Sequence, residues 1–287
     1  MTVNTAKFVA RFNRGLLYAF MIALVGFTAL PIVYMISTAF KPLDELFLYP
    51  PTFLVKKPTL RSFYDLLTAT DSSVVPFTRY IFNSVFVSCS IVALSLFVCS
   101  LGAYVLSKFK PPGAGFIFAV ILSALMFAPQ VTQIPTYMIV SSLGLVNTYW
   151  ALILPKIAVA FNIFLMKQFF DQIPDALIEA AYIDGASEWK IFWRVIMAVS
   201  KPAWATLIIF SFIGNWNDYF SALVFTTSET MKTLPLAIQT LAGGPGVVAR
   251  SGALAAGTFL VTLPPILIFV LFQRLIMNTM VHSGIKS

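Results

Sequence analysis

Six long apolar runs divide this chain, and they constrain its fold more than any other feature of the sequence. A helix needs about 20 apolar residues to cross a hydrocarbon core of about 30 Å, and each run approaches or exceeds that length. Because a bilayer offers no water to backbone N–H and C=O groups, runs of this kind are expected to be helices. The runs cover residues 16–40, 81–106, 116–140, 150–166, 204–225 and 254–273.

The composition indicates a membrane protein and excludes other classes. Apolar residues make up 59% of the chain and charged residues only 10%, against about 25% charge in a soluble domain. The net charge of +8 is not gathered in a basic run or a basic–aromatic patch, so nucleic acid is not an expected partner. His282 is the only histidine and no catalytic set of side chains is visible, so we expect neither a metal site nor an enzyme. We predict an all-α, polytopic protein with six transmembrane helices in contact with membrane lipid.

The distribution of Lys and Arg predicts how the six runs are oriented. Short loops rich in these residues stay in the cytoplasm. Both termini, the turn 107–115 and the loop 167–203 hold eleven of them, against seven on the other side. We therefore expect cytoplasmic tails at residues 1–15 and 278–287, with a transmembrane domain at 16–277. The first run is much longer than the apolar region of about 7–15 residues in a signal peptide, so we expect it to be retained.

The polar loop between the fourth and fifth runs predicts two short amphipathic helices joined at a glycine. Pro174 suits the first turn of the first helix, and Gly185 follows as its C-terminal stop. Ser187 is a candidate N-cap for the second helix. Apolar residues recur at helical spacing in both, so each helix is expected to bury one face. They are Leu177, Ile178, Ala181 and Tyr182 in the first helix, and Phe192, Val195, Ile196 and Val199 in the second.

Two strings carry a resemblance to a known family. The string EAAYIDGAS, residues 179–187, resembles the signature loop of ABC importer permeases that work with a solute-binding protein. The string FSFIGNWNDYF, residues 210–220, narrows the resemblance to the sugar-importer branch. Over nearly its whole length the chain is similar to the smaller permease subunit of the maltose transporter. The loop's usual ending of Ile, any residue, Leu and Pro is replaced here by Val195, Met197 and Ala198, so Pro202 is expected to supply the helix break.

The resemblance implies that ATP is hydrolysed on a separate subunit. In the family a cytoplasmic ATPase dimer docks on the signature loop, which implies a coupling role for Glu179 and its neighbours. This chain has no GxxxxGK[ST] string, so ATP and Mg²⁺ are expected on that partner and no cofactor on this chain. The alternative is that Glu179 is an intraloop cap or a solvated acid. The implied coupling residues are Glu179, Ala180, Ala181, Asp184 and Gly185.

Polar residues inside the apolar runs are the candidates for a translocation pathway. An ionisable residue at membrane depth is a functional candidate by default, although polar side chains also form hydrogen bonds between helices. Pro129 and Pro135 predict a kink in the third run, tolerable only where protein or water covers the freed backbone groups. The candidates are Gln130, Gln133, Lys156, Asn162, Asn215, Asn217 and Asp218.

Lys156 and Asp218 are predicted to lie at similar depth. At about 1.5 Å per residue, Lys156 lies roughly 9 Å inward from Trp150, and Asp218 about 10 Å inward from Phe225. Lys156 is outside the family's shared motif, so the resemblance gives it no role. A lysine that faces the pathway would favour an anionic solute. The alternatives are an ion pair with Asp218 and snorkelling to the outer interface.

The connection before the sixth run contains a glycine-rich string on the side opposite the termini. In the maltose system the equivalent loop reaches into the cleft of the binding protein, which implies a docking role here. Glycine allows close approach of the backbone to a partner. A plain turn is the alternative. The candidate docking residues are Gly243, Gly244, Pro245 and Gly246.

These features together predict the permease subunit of an ATP-driven, binding-protein-dependent importer for a carbohydrate, in particular an oligosaccharide. If Lys156 faces the pathway, we expect an acidic sugar chain that contains uronic acids. The expected partners are a second permease of different sequence, a cytoplasmic ATPase dimer and an extracytoplasmic solute-binding protein, in a bacterial cytoplasmic membrane. The alternatives are an importer of an amino acid or peptide, and an ion-coupled carrier, which would need several intramembrane carboxylates.

Overall fold

The computed structural model describes residues 2–68, 75–243 and 250–283, with side chains from 13 to 276 within those ranges. In the described ranges the chain is mostly helical and contains no β-strand. The predicted all-α fold is therefore confirmed.

The helices are numbered in chain order. The first range holds α1 (Thr2–Ala39), α2 (Leu43–Leu46) and α3 (Arg61–Thr68). The second opens with α4 (Phe77–Tyr104), α5 (Ala114–Ala124), α6 (Pro129–Ser142), α7 (Tyr149–Ile153) and α8 (Ala160–Asp171). It continues with α9 (Asp175–Ile183), α10 (Glu188–Ile191), α11 (Met197–Val199), α12 (Lys201–Trp216), α13 (Tyr219–Phe225) and α14 (Leu234–Gly243). The third holds α15 (Ser251–Ser283), so α1 and α15 extend into the predicted tails.

Three helical stretches are long and apolar enough to cross a membrane without interruption: Asn13–Ala39, Phe77–Phe109 and Ser251–Ile276. Three further pairs of helices meet the same condition together but are bent at a short break. The described chain thus has three candidate spans, or up to six if each bent pair is one span. The bent pairs are α5 with α6 (108°), α7 with α8 (42°), and Glu188–Val199 with α12 (80°).

The breaks correct the predicted shape of three spans. The third, predicted as one kinked helix over 116–140, is divided at residues 125–128. The fourth, predicted over 150–166, is divided at residues 157–159. The fifth, predicted over 204–225, is divided at residues 217–218, a break separate from the 80° bend that precedes α12. Proline or a side-chain cap competes with the helical hydrogen bonds at each break, which a count of apolar residues does not reveal.

The chain divides into two compact units, of which the first comprises α1, α2, α3 and the first part of α15. Its core includes the rings of Phe40, Phe63 and Phe259, whose centroids lie 5.2, 5.8 and 5.9 Å apart. Glu45 in α2 is buried and accepts a hydrogen bond from the backbone N–H of Lys56 at 2.8 Å. This bond fixes the path of the loop that follows α2.

The second unit is built around α4, which packs against α8 and α12. Its buried side chains form one cluster at each end of α4, so this helix connects two separately packed regions. The cluster at the end of α4 includes Cys99, Met166, Phe170, Ile196 and Leu207, and the cluster near its start includes Val87, Ile91, Leu152, Phe225 and Leu236.

A hydrogen bond from α12 satisfies a backbone carbonyl that one of the two prolines inside α15 leaves without a partner. Pro265 has no N–H, so it leaves the carbonyl of Val261, four residues earlier, without its helical partner. The indole N–H of the buried Trp216 donates to that carbonyl at 2.8 Å. The bond satisfies the carbonyl that Pro265 leaves free and so helps this helix to continue through an apolar segment.

Candidate functional site

A cavity of about 770 Å³ lies in the second unit where three interrupted spans meet. Its wall includes residues beside the break between α5 and α6, the break between α7 and α8, and the break between α12 and α13. Irregular backbone is tolerated at membrane depth only where protein or a water-filled cavity covers it. The polar side chains in the wall are Thr132, Gln133, Thr136, Lys156, Asp218 and Ser221.

Each break has a local cause in the sequence. Pro129 begins α6, and Ala128 before it is extended, with ψ of 136°, because proline disfavours a helical residue at that position. Pro155 lies in a 3₁₀ turn between α7 and α8. Asp218 is the N-cap of α13, and its carboxylate accepts the backbone N–H of Ser221 at 3.0 Å.

Lys156 and Asp218, predicted at similar depth, form an ion pair at the cavity wall. Their side chains are 22% and 23% exposed, so the pair is largely withdrawn from solvent. Asp218 Oδ2 also accepts the hydroxyl of Ser221 at 2.5 Å. The aspartate therefore serves two purposes: it caps α13 and balances the charge of Lys156. Since an ammonium has three N–H donors, Lys156 retains capacity for a further acceptor in the cavity.

Of the remaining pathway candidates, one lines the cavity, one is exposed elsewhere, and three are engaged in hydrogen bonds to nearby helical groups. Gln133 lines the cavity, whereas Gln130 is exposed and is not among the described lining residues. Asn162 is buried and donates to the hydroxyl of Ser95 on α4 at 3.0 Å. Its role in the structure is therefore a bond between helices. The other two bond within their own helix: Asn215 donates to the carbonyl of Ser211 at 2.6 Å and Asn217 to that of Ile213 at 2.9 Å.

Three polar lining residues were not predicted. Thr132 and Thr136 are one helical turn apart on α6, beside Gln133, so their shared face could have been read from the spacing. Ser221 gave no such signal, because its place in the wall depends on the turn at Asp218.

The loop between the fourth and fifth spans folds largely as predicted. Gly185 has φ of 70° and ends α9. Ser187 occupies the extended N-cap position of α10, as predicted, but its side chain makes no capping hydrogen bond there. Ile178, Phe192 and Ile196 are buried, as the spacing indicated, and belong to the cluster at the end of α4. The prediction is wrong for Leu177 and Tyr182, which are 44% and 46% exposed, because the short helix α9 buries only a narrow strip around Ile178.

At the end of this loop, one prediction from the sequence is wrong and another agrees with the structure. Val199 was predicted on the buried face but is 54% exposed. The π-helical turn at Phe192–Ile196 adds one residue to the turn and shifts the buried face, so that Met197 and Ser200 are buried while Val199 faces outward. Pro202 lies in the first turn of α12, after the break at Ser200, as expected of the residue that replaces the family's proline.

Polar contacts fix this loop to the end of α4. Glu188 accepts hydrogen bonds from the hydroxyls of Tyr182 and, at 3.2 Å, Tyr104. Lys108 Nζ lies 2.7 Å from Asp175 Oδ1 at the start of α9. The hydrogen bond from Lys108, together with its charge, holds the pKa of Asp175 below its usual value. The contact between Asp175 and Lys108 therefore stabilises the folded loop at neutral pH. That stabilisation is lost only as the pH falls through the lowered pKa of Asp175.

Glu179 has a different environment from these anchoring groups. It is exposed and, among the described residues, has no hydrogen bond or ion pair. It lines a hollow of about 260 Å³ beside Ile178 and Tyr182. Ala180 and Asp184 are also exposed, so the implied coupling residues form an accessible surface.

At the other end of α4, a buried asparagine holds the start of the connection to the sixth span. Asn83 is 0% exposed, and its amide donates to the carbonyls of Thr230 and Lys232, both at 2.8 Å. Its carbonyl oxygen accepts the hydroxyl of Tyr149 at 2.7 Å. Ser84 Oγ accepts the backbone N–H of Leu234 at 2.7 Å, which fixes the beginning of α14. Gly243 is the last residue of α14, while Gly244, Pro245 and Gly246 lie outside the described residues.

Replacing Asn83 with Leu is expected to destabilise the protein. The change leaves the carbonyl of Lys232 without a donor and the carbonyl of Thr230 with only its bond from Arg79 Nε at 3.2 Å, and a buried orphan costs about 1–3 kcal/mol. We expect the free energy of unfolding to fall by about 3 kcal/mol, measured in detergent. Asn217→Leu is the matched control, since Asn217 is exposed and bonds only within α12, and it should change stability little. Equal losses in the two variants would contradict the assigned role of Asn83.

Comparison with known proteins identifies the fold and family. The model of the family described as "Binding-protein-dependent transport system inner membrane component" matches residues 9–281. A probable ABC transporter permease protein of Bacillus subtilis (strain 168), YurM, is 31% identical over 94% of this chain and 86% of its own length. The arabinooligosaccharides transport system permease protein AraQ of Halalkalibacterium halodurans is 30% identical over 92% of this chain and 94% of its own.

A further relative and two solved structures complete the comparison. The sn-glycerol-3-phosphate transport system permease protein UgpE of Yersinia enterocolitica is 32% identical over 72% of this chain and 74% of its own length. A bacterial ABC transporter involved in the import of the acidic polysaccharide alginate contains a chain with the same fold. It superposes with a TM-score of 0.80 at 23% identity, over 92% of this chain and 97% of that one. The second structure is of the bacterial alginate ABC transporter in complex with an alginate pentasaccharide-bound periplasmic protein. One of its chains superposes with a TM-score of 0.51 at 15% identity, over 91% of this chain and 93% of that one.

Proposed function

We propose a function from the premise that this chain belongs to the family of binding-protein-dependent transport system inner membrane components. The chain is the transmembrane permease subunit of an ATP-driven importer of a carbohydrate. A second permease of different sequence encloses the pathway with it. Solute enters from an extracytoplasmic binding protein and leaves to the cytoplasm.

The observation that carries this proposal is the cavity at the three interrupted spans. A pathway through a bilayer needs polar groups that a solute can contact, in a place from which lipid is excluded. The cavity supplies Gln133, Thr136 and the Lys156–Asp218 pair beside apolar and aromatic walls. Interrupted spans can shift at their breaks with little loss of hydrogen bonds, which suits a site that opens alternately to two sides.

An acidic oligosaccharide is the solute class that the site fits best. Among the relatives above, one is named for arabino-oligosaccharides and one for a phosphorylated glycerol, and the solved transporter of the same fold imports an acidic polysaccharide. Lys156 offers a cation to a carboxylate, and Phe127, Phe161 and Phe220 offer apolar surface to sugar rings. None of these relatives is named for an amino acid or a peptide, so that alternative is not favoured.

Energy is supplied by a separate ATPase dimer, which holds ATP and Mg²⁺ and docks on the loop 167–203. The exposed Glu179 supports this, as do large apolar residues at the surface of the same loop. Ile183 is 87% exposed and Trp189 is 58% exposed, which is unusual unless a partner covers them. Docking there places the loop and both termini in the cytoplasm, in agreement with the excess of Lys and Arg on that side.

Purification of the tagged chain from its native membrane tests the proposal. We expect an ATPase and a second permease to accompany the chain in detergent, and the solute-binding protein to join them when its sugar is present. A Glu179→Arg variant should lose the ATPase but keep the second permease. A chain that purifies without an ATPase, and that moves solute in an ion gradient without ATP, would overturn the proposal in favour of a carrier.

The connection that begins at Gly243 is proposed to dock in the binding protein. Replacing Gly243, Gly244 and Gly246 with Leu is expected to reduce binding-protein-stimulated ATP hydrolysis about tenfold. The reason is that bulky side chains prevent close backbone approach. ATP hydrolysis without binding protein should not change. Unchanged stimulation in the triple variant would show that the segment is only a connector.

A further inference from the structure

A second cavity, of about 380 Å³, lies where three candidate spans begin or end. Two of its walls are the end of the α4 helix, near Leu106, and the start of α5, near Ala114. The third is the last part of α8, at Lys167. Because span ends lie at the membrane surface, this cavity is placed at the boundary between headgroups and hydrocarbon.

The cavity is lined by two cations and by no acid among its described residues. Lys110 is exposed, and its side chain has no hydrogen bond or ion pair within the described chain. Lys167 lies 2.7 Å from Asp171 Oδ2 and 4.4 Å from the ring centroid of Phe118. The aspartate offsets part of its charge, so the lining as a whole favours an anion. The wall contains Leu106, Lys110, Pro111, Gly113, Ala114, Gly115, Phe118 and Lys167.

The rest of the lining is apolar or glycine. Leu106 is 8% exposed, and Phe118 stacks on Phe164 of α8 with centroids 6.3 Å apart. Phe118 on α5 and Phe164 on α8 continue this apolar surface away from the two lysines, in the direction of the membrane interior. An occupant that satisfies both parts of the wall needs an anionic head and an apolar tail.

We infer that this cavity binds an anionic phospholipid, with its phosphate between Lys110 and Lys167 and an acyl chain along Leu106 and Phe118. Basic pockets between transmembrane helices on the cytoplasmic side bind such headgroups. A soluble phosphate would satisfy the lysines but would gain nothing from the apolar wall. The lipid is therefore the occupant that uses the whole cavity.

The bound lipid also supports the coupling loop. A polar hollow of about 420 Å³ next to the cavity shares Lys110 and Lys167 with it and contains the Lys108–Asp175 pair that anchors α9. A phosphate between Lys110 and Lys167 offsets the electrostatic repulsion among these two lysines and Lys108. It thus leaves Lys108 free to hold Asp175. Removal of anionic lipid is expected to loosen the loop without changing the cavity at the interrupted spans.

The test compares lipid retention by the full chain, purified with its natural partners and placed in nanodiscs. The discs contain phosphatidylcholine with or without phosphatidylglycerol, and retained lipid is measured by native mass spectrometry. We expect Lys110→Gln to lower retention of phosphatidylglycerol about fivefold, and the double variant with Lys167→Gln to lower it further. Gly115→Leu should have a similar effect without a change of charge, because a Cβ there meets no atom within 4 Å and its side chain can enter the cavity.

Lys57→Gln is the matched control, since this exposed lysine belongs to the first unit and is not among the residues that line the cavity. It should retain phosphatidylglycerol as the unaltered protein does. Retention that is equal in all variants would overturn the inference. So would inorganic phosphate, added to the discs that contain phosphatidylglycerol, if it displaced the retained lipid, because the apolar wall would then add nothing to binding. Because the readout is bound lipid, failure here leaves the proposed transport function standing.

Discussion

Lys156→Gln is expected to reduce uptake of an acidic oligosaccharide about tenfold while changing uptake of a neutral one much less. The lysine is the one cation in the described wall of the cavity, so its loss removes a charge-assisted contact of about 1.5 kcal/mol. The variant also leaves Asp218 without its partner. Because about a fifth of each side chain is exposed, we expect the free energy of unfolding to fall by about 2 kcal/mol, between the values for surface and buried pairs.

Asp218→Asn separates these two effects. Asn remains a good N-cap for α13, so this variant removes the negative charge but preserves the cap. It is expected to lose similar stability yet to keep uptake of the acidic sugar, because Lys156 remains. The neutral double variant, Lys156→Gln with Asp218→Asn, should recover most of the stability, since no charge is left unpaired. Equal losses of acidic and neutral sugar in both single variants would reduce the pair to a structural one.

Glu179→Ala is expected to weaken ATPase docking at least 30-fold. Truncating one member of a charge pair that becomes buried in an interface costs about 2–5 kcal/mol. Solute-stimulated ATP hydrolysis and uptake should fall with it. The permease itself should unfold at the same temperature as the unaltered protein, because Glu179 has no partner within the described chain. Docking is measured by titration of the ATPase onto the permease in nanodiscs.

Glu188→Gln is the matched control for Glu179, since both acids belong to the same loop. Glu188 is also exposed, but its carboxylate accepts the hydroxyls of Tyr104 and Tyr182, so its change should lower thermal stability more than docking affinity. Glu179 is not the contact residue if Glu179→Ala keeps the full solute-stimulated rate of ATP hydrolysis. The same conclusion follows if the two variants lose equal affinity for the ATPase.

The sequence determined the elements that depend on local chemistry. Gly185 was expected to end a helix in the left-handed region, and its φ of 70° agrees. The buried positions Ile178 and Ile196 followed from spacing alone. In each case the residue's own backbone preference or its place on a helix face settles the outcome, with no reference to distant parts of the chain.

The role of Asn83, the exposure of Val199 and the pairing of Lys156 with Asp218 depend on tertiary contacts, and the sequence did not reveal them. Asn83 lies in an apolar run, and its amide bonds carbonyls that are 147 and 149 residues away, so no local pattern points to its role. The exposure of Val199 depends on a π-helical turn that packing, rather than propensity, imposes. The Lys156–Asp218 contact could be placed only to similar depth, because facing direction is set by the neighbouring helices.

Transport by the reconstituted complex tests the central claim most directly. The permease, its partner permease and the ATPase are placed in proteoliposomes with the binding protein on the outside and ATP on the inside, and uptake of a labelled uronic-acid oligosaccharide is followed. We predict accumulation against its gradient only when ATP and binding protein are both present. Accumulation without ATP, driven by a proton or sodium gradient, would contradict the account.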